Sequence, residues 1–445
     1  MTKTNSGEPS SPFLSSQQIA EILSERVGER GQAMAVVVGI VEPQGRRIIA
    51  RGRFSRDDPR PVDGDTLFEI GSVTKVFTTL LLADMANRGE LELDDPIEKL
   101  LPPEVSAPRR NGRSITLADL ASHMSSLPRL PDNMAPADNA DPYADYTVEQ
   151  LHEFLCNHRL AHDIGTHHEY SNVGFGLLGH VLARRAGTDY DQLIQDRIAI
   201  PLGMDSTAIA LTAALSARLA HGHGLGLMPV ANWNLPTLAG AGALRSTVRD
   251  LLTFIEAALD STSPLAAAFD LTLSTRRPLG ADTMEIGLGW MIEKAGGEEI
   301  VWHNGGTGGY CSFLGFLPKS RRGVVVLANT VTEFVDNFGR HLLDPATVLA
   351  PPPKQRTEIS IDPQLYDNYV GQYQLAPGAV IDVARDGDRL MVQLTGQEQY
   401  EIFPETERDF FLKIVDAQIT FEGSGRAEGL TLHQAGQQMP AARIV

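Results

Sequence analysis

The chain has 445 residues, 42% of them apolar and 21% charged, with a formal net charge of −18. That length exceeds one ordinary domain and predicts two, and the acidic balance argues against nucleic acid and anionic membrane surfaces as partners. The two cysteines, Cys156 and Cys311, stand far apart in no metal-ligand spacing and read as reduced thiols.

Residues 1–14 are polar, lack an apolar signal core and read as disordered; no run reaches transmembrane length, so the expected location is cytoplasmic. Ser15-Ser16 is placed to cap a helix running to about Val27. Met34–Val41 and Arg46–Phe54 are β-rich runs joined by a turn at Glu42-Pro43-Gln44-Gly45. A helix follows Gly71-Ser72-Val73-Thr74-Lys75, its apolar face formed by Phe77, Leu80, Leu81 and Leu82, with a stop at Gly89. Short helices are predicted at 116–122 and 148–155. Between them a long Pro/Asp/Ala loop runs from Pro128 to Tyr146, a length typical of lids and binding loops. Further amphipathic helices are predicted at 172–186, 190–200 and 248–259.

After about Gly287 the period changes to that of strands, at 288–293, 299–303, 310–317 and 323–329, with a closing helix at 334–343. Strands, helices, then strands imply an α/β domain over 15–349: one antiparallel sheet built from both ends of the segment and flanked by helices, with an all-helical region inserted. Residues 350–356, opening Ala-Pro-Pro-Pro, read as a stiff linker. From 357 to 445, seven short β runs (369–375, 380–385, 389–395, 400–404, 409–414, 418–422, 429–434) at regular spacing predict a small all-β barrel or sandwich.

Three segments carry chemistry. Ser72 and Lys75 lie one helical turn apart, so their side chains are neighbours on one face. A serine hydroxyl needs a base, and a lysine serves when its surroundings favour the neutral amine. The helix N-terminus offers free N–H groups to an oxyanion. Alone, the pair reads equally as a capping serine and a solvated lysine. Tyr170-Ser171-Asn172 sets a phenol and an amide two apart at a helix start, suited to proton transfer and to holding a carbonyl or the lysine. His303-Asn304-Gly305-Gly306-Thr307 joins two strand runs. Its glycines admit a substrate backbone, and a strand-edge N–H there pairs with that of Ser72 as an oxyanion hole. Rival patterns fail. There is no Gly-x-Ser-x-Gly, His152-Glu153 lacks a second zincin histidine, and His167-His168 and His221-Gly222-His223 read as loops.

Ser-x-x-Lys, Tyr-x-Asn and His-x-Gly in this order resemble the serine β-lactamase and penicillin-binding-protein superfamily, and Tyr170-Ser171-Asn172 resembles its class C branch of β-lactamases, D-Ala-D-Ala carboxypeptidases, D-aminopeptidases and esterases. The likeness runs from about 18 to 345, and the tail is similar to the lipocalin-like barrel of some of these hydrolases. It implies Ser72 as nucleophile, Lys75 as its base, Tyr170 as proton shuttle and Asn172 as positioning residue. His303 stands in the place of the usual lysine. Ser72 and Gly306 supply the oxyanion N–H groups, and Asn304, Gly305 and Thr307 line the substrate. No cofactor or metal is implied, and the partner is a small peptide or ester. Two departures stand out: histidine for lysine at 303, and His123-Met124-Ser125-Ser126-Leu127-Pro128 for the family's His-Thr-Ser-Gly-Leu-Pro. The expected activity is acyl-Ser72 chemistry on peptides with D-residues, as a D-stereospecific peptidase, a D-Ala-D-Ala carboxypeptidase or a thioesterase that cyclises peptides. The alternatives are a carboxylesterase, a weak β-lactamase, or a silent binding or sensor protein.

Overall fold

The structure is a computed structural model describing residues 13–444 except 296, 353, 355, 377, 398, 414–416 and 435–436. The predicted disorder of the first twelve residues, two linker residues and the end of one predicted barrel strand therefore lie outside the described residues. Phe13, predicted as part of that tail, is buried in the core instead. The chain divides into two compact units, Met1–Ala350 and Pro351–Val445.

In the first unit the helices referred to below are α1 (Ser16–Leu23), α2 (Thr74–Asn87), α3 (Val148–Asn157), α4 (Asn172–Ala186), α5 (Val248–Leu259), α6 (Ala266–Ser274) and α7 (Phe334–Leu343). Its strands are β1 (Ala35–Glu42), β2 (Gly45–Gly52), β3 (Arg277–Leu279), β4 (Ala281–Ile286), β5 (Met291–Ala295), β6 (Glu298–Gly306), β7 (Cys311–Leu317) and β8 (Arg322–Ala328). They form one antiparallel sheet in the order β2-β1-β8-β7-β6-β5-β4-β3, so the N-terminal hairpin joins the strands from the end of the segment. The strand β1, second from one edge, is apolar at nearly every position because both faces are covered. Val36, Val38 and Ile40 pack in a layer with Ile19 and Leu23 of α1 and Phe334, Val335 and Phe338 of α7. Ala35, Val37 and Val41 face the larger core with α2 and α5. A Cβ at Gly39 would come 2.4 Å from Val248 Cγ1, which is how closely α5 approaches β1.

Two predictions are corrected in the sheet. β3 and β4 are additional strands on one side of the sheet, with β3 at its edge; three residues around Pro278 give no readable alternation, and proline is tolerated only at such an edge. α2 is not amphipathic: every residue from Thr74 to Met85 is buried, Lys75 and Asp84 included. It is the central helix of the unit, and it ends as predicted, with Gly89 at φ +70°.

The second unit is a closed eight-stranded antiparallel barrel: β9 (Gly371–Ala376), β10 (Ala379–Asp386), β11 (Arg389–Leu394), β12 (Gln399–Pro404), β13 (Asp409–Phe411), β14 (Ala417–Glu422), β15 (Gly429–Gln434) and β16 (Gln437–Arg443). The last strand escapes sequence reading because Gln-Gln-Met-Pro-Ala-Ala-Arg has neither alternation nor β-branched residues. It pairs with β15 and closes the barrel on Tyr373 and Gln374 of β9. Eight strands enclose a width that side chains fill, and Tyr373, Ile381, Leu390, Ile402, Phe410, Phe421 and Leu430 do so here. Among the described residues no helix is long and apolar enough to cross a membrane.

Candidate active site

The site gathers where α2 begins, beside the free end of β6. Gly71 takes φ +49°, turning the chain into α2 so that Ser72 lies at its start. β5 pairs with β6 only as far as Met291 opposite Trp302, so beyond Trp302 the outer edge of β6 is open. That edge lies against the Ser72 turn. A Cβ on Gly305 would sit 2.2 Å from Ile70 O and 2.9 Å from Ser72 N, and one on Gly71 would sit 2.8 Å from Gly306 N. Ser312 of β7 ties the two together by donating its hydroxyl to Ile70 O at 2.7 Å.

Alternation along β6 decides which groups reach the site. Thr307 N–H donates to Tyr310 O, on the β7 side. Gly306 N–H therefore points to the open edge, towards the N-terminus of α2, where the Ser72 N–H is unspent by the helix. His303 is buried on the Tyr170 side, its ring centroid 6.5 Å from that of Tyr170. Asn304 is a correction: its side chain faces the opposite layer and donates to Asp336 Oδ2 of α7, so it does not join the site. Gly305 provides close approach rather than a side-chain contact. Thr307 is buried in the turn, with its N–H already used.

Lys75 is buried, and its Nζ has three oxygen neighbours: Ser72 Oγ at 3.0 Å, Asn172 Oδ1 at 2.9 Å and Ala241 O at 2.7 Å. Burial first, and then the Arg129 charge, push its pKa well below the usual lysine range. A neutral amine has two hydrogens and one lone pair. Donating both hydrogens to the Asn172 and Ala241 carbonyls leaves the lone pair for the Ser72 hydroxyl proton. Burial pushes the Tyr170 phenol up to about 12, against the smaller downward pull of the nearby Ser72 hydroxyl and the Arg129 charge. Ser72 Oγ thus has beside it an amine that burial biases to the neutral form, near a phenol that burial keeps protonated.

The Tyr170 segment is held from below. Ser171 caps α4, accepting Gly174 N–H at 2.9 Å and donating to Pro128 O at 2.7 Å. The imidazole of His123 stacks on Tyr170 at 4.4 Å and accepts Ser171 N–H on Nδ1 at 3.0 Å. Burial keeps His123 and His303 neutral, with His303 lowered to about 3. The 123–128 loop holds His123 at φ +56° and Ser126 at φ +60°, and Ser126 Oγ accepts His162 N–H at 2.9 Å. Ahead of Ser72, the buried pair of Glu69 and Arg245, 3.2 Å apart, braces the two-residue ribbon of 68–69 with 245–246. As for metals, donor atoms of His162, His167 and Glu169 lie within 4.8 Å of one another on the loop before Tyr170, both histidines exposed.

The Beta-lactamase family matches residues 19–347. The chain belongs to the β-lactamase family. A domain of unknown function, DUF3471, matches residues 355–442, which hold the barrel. Penicillin-binding protein 4* of Bacillus subtilis (strain 168) is 25% identical over 453 residues, covering 95% of this chain and 98% of that protein. The D-alanyl-D-alanine-carboxypeptidase/endopeptidase AmpH of Escherichia coli (strain K12) is 31% identical over 288 residues, 61% of this chain and 73% of its own length. The crystal structure of a β-lactamase/D-alanine carboxypeptidase from Yersinia pestis complexed with citrate superposes with a TM-score of 0.62 at 26% identity, over 72% of this chain and 93% of that one. The chain is thus a serine hydrolase of this superfamily.

Within this β-lactamase-family hydrolase, Ser72, Lys75, Tyr170, Asn172, His303 and Gly306 come together. Sequence reasoning gave no role to Ala241, Tyr143 or Arg129. Ala241 acts through a backbone carbonyl, which no side-chain pattern reports. Tyr143, from the long loop, is near enough to Asn172 for that side chain to hold its phenol down against the upward push of burial. The Arg129 guanidinium carbon lies 5.3 Å from the Tyr170 ring centre.

Proposed function

We propose that this serine hydrolase works through an acyl-Ser72 intermediate on small peptides that carry D-residues at the reacting carbonyl. The observation that carries the reading is the surrounding of Lys75 Nζ, whose two carbonyl acceptors orient its lone pair at Ser72 Oγ. In the proposed sequence Lys75 takes the Ser72 proton as Oγ attacks the carbonyl carbon. The negative charge developing on the carbonyl oxygen falls to the N–H groups of Ser72 and Gly306. Tyr170 gives its proton to the leaving nitrogen and is reprotonated from Lys75. A water or an amine then repeats the steps in reverse on the acyl-enzyme, so hydrolysis and peptide cyclisation differ only in the acceptor. The D-stereospecificity is taken from relatives described as a D-alanyl-D-alanine-carboxypeptidase/endopeptidase and a β-lactamase/D-alanine carboxypeptidase.

One observation favours a neutral ester or amide substrate instead. The place usual for lysine holds His303, buried and uncharged near neutral pH, so that position supplies no cation for a substrate carboxylate. Mass spectrometry of the trapped acyl-enzyme, run against paired D- and L-terminated peptides and short esters, separates the readings. Acyl-Ser72 from D-peptides, absent in Ser72→Ala, is the expected result. Rapid ester turnover with no peptide acylation would replace the peptidase reading by an esterase.

A further inference from the structure

Arg129 follows the 123–128 loop, and its position is fixed through its backbone. Its carbonyl accepts the N–H groups of Asn172 at 2.9 Å and Val173 at 3.3 Å, the first turn of α4. This attaches the residue to the same helix start that carries Tyr170 and Asn172. The guanidinium lies over the Tyr170 ring at 5.3 Å and is exposed to solvent. Among the described residues no carboxylate pairs with it, and no side-chain hydrogen bond holds it. Two carboxylates of the loop that follows are engaged elsewhere, Asp141 with Asn234 and Asp145 with Ala137 N–H. The charge is nonetheless felt inside the site, at Lys75, Tyr143 and Tyr170. An exposed arginine in a chain of net charge −18, left without an anionic partner beside the proton donor, is free to pair with a ligand anion.

We propose that Arg129 forms a carboxylate subsite on the leaving-group side, selecting substrates whose leaving group bears an acidic function close to the scissile bond. The geometry names the side. Tyr170 protonates the leaving atom, so the leaving group lies next to the phenol. If that group is a C-terminal amino acid, its carboxylate carbon is two bonds, about 2.5 Å, from the nitrogen being protonated. It then lies on the Tyr170 flank that Arg129 overhangs. The planar fork of the guanidinium suits a carboxylate bidentately. The charge missing at the neutral His303 is thus supplied from a different segment, and the substrate class narrows to free-acid peptides, the carboxypeptidase form of the activity. The inference rests on the acylating roles of Ser72 and Tyr170, but not on the D-configuration of the peptide.

Two phenylacetylglycyl esters test it on the full chain, one releasing phenol and the other 3-hydroxybenzoate, which adds only a carboxylate to the leaving group. In wild type the ratio of kcat/KM, charged over neutral, is expected to exceed ten and to shrink as salt screens the pair. Arg129→Ala is expected to lower that ratio tenfold or more, and Arg129→Lys to restore part of it. Taking the ratio cancels any effect of the substitution on Lys75. A wild-type ratio near one, or an unchanged ratio in Arg129→Ala, overturns the assignment while leaving the hydrolase intact. If neither ester acylates Ser72, the proposed acylating role of Ser72 fails for this substrate class and the subsite with it. If the ratio behaves as expected but D-peptides go uncleaved, the subsite stands and only the D-peptide reading is lost.

Discussion

The proton inventory around Ser72 leads to two expectations at the scale of single residues. On the proposed roles, Lys75→Ala removes the base and Tyr170→Phe the acid, and each should slow acylation by about 10²–10⁴-fold, the usual worth of a positioned acid or base. Rapid-mixing measurement of acyl-enzyme formation checks it, and a near-normal rate in either variant would remove that residue from the mechanism. His303 is different. Its folded pKa is lowered to about 3 from the ordinary 6.5, burial being the main cause and the Lys75 charge the next. The unfolded chain therefore binds a proton that the native site refuses. The sign follows: stability is full above about pH 6.5 and drains as the pH falls towards 3. His303→Asn should flatten that slope in denaturant titrations run from pH 7 to pH 4. It should leave no imidazole step missing from the activity profile between pH 5 and 8, since His303 does not titrate there. At this scale the sequence revealed the side chains with evident chemistry, Ser72, Lys75, Tyr170, Asn172 and His303. It hid Ala241 and Arg129, the first because it acts by its carbonyl and the second because only folding brings residue 129 against the start of a helix at 172.

Elements matter here through how closely backbones approach. β6 touches the Ser72 turn with no room for a side chain, as the 2.2 Å and 2.4 Å approaches of a Gly305 Cβ to Ile70 O and Ser312 Oγ show. The first of these is backbone, which no rotamer change relieves. Gly305→Ala is therefore expected to push the strand edge off the turn, pull Gly306 N–H out of reach of the oxyanion, and lower kcat by about 100-fold, the scale of losing one oxyanion donor. Ser72 labelling rates and the thermal midpoint, measured on the same sample, separate a displaced strand from a chain that fails to fold. A labelling rate equal to wild type would mean that the strand does not supply the second donor. The glycines at 305 and 306 were legible as a place of close approach. That Asn304 faces away was legible in principle, because alternation puts it opposite His303; the resemblance to a family motif hid it by treating the segment as one unit. The full burial of α2 was not legible, since Thr74, Lys75, Thr78, Thr79 and Asp84 read as a polar stripe until their partners are seen. Thr78 donates to Gly240 O and Thr79 to Leu288 O, both distant in sequence.

At the scale of the whole molecule, the change from helical to two-residue periodicity and the proline run near 350 made two units readable. What stayed hidden were outer and closing strands, β3, β4 and β16, whose composition is set by the sheet around them. The two units draw on separate cores. The layers on either side of the catalytic sheet use residues between Phe13 and Leu349, and the barrel core uses residues between Ile361 and Ala441, with none in common. Each unit also closes its own hydrogen bonds at the boundary, Arg26 holding Ala350 O on one side and Ile359 N–H meeting Pro404 O on the other. Cooperative unfolding follows a shared core, so two cores predict two units that fold independently. A chain cut after Ala350 keeps both layers and the Arg26 contact, and it is expected to fold and to acylate Ser72 within about threefold of the full chain. Differential scanning calorimetry should show one of two transitions lost and the other unmoved. A truncated protein with the native thermal midpoint but a Ser72 that no longer labels would instead make the barrel part of the site, because a purely separate domain has no means of switching off chemistry whose parts all lie before residue 307.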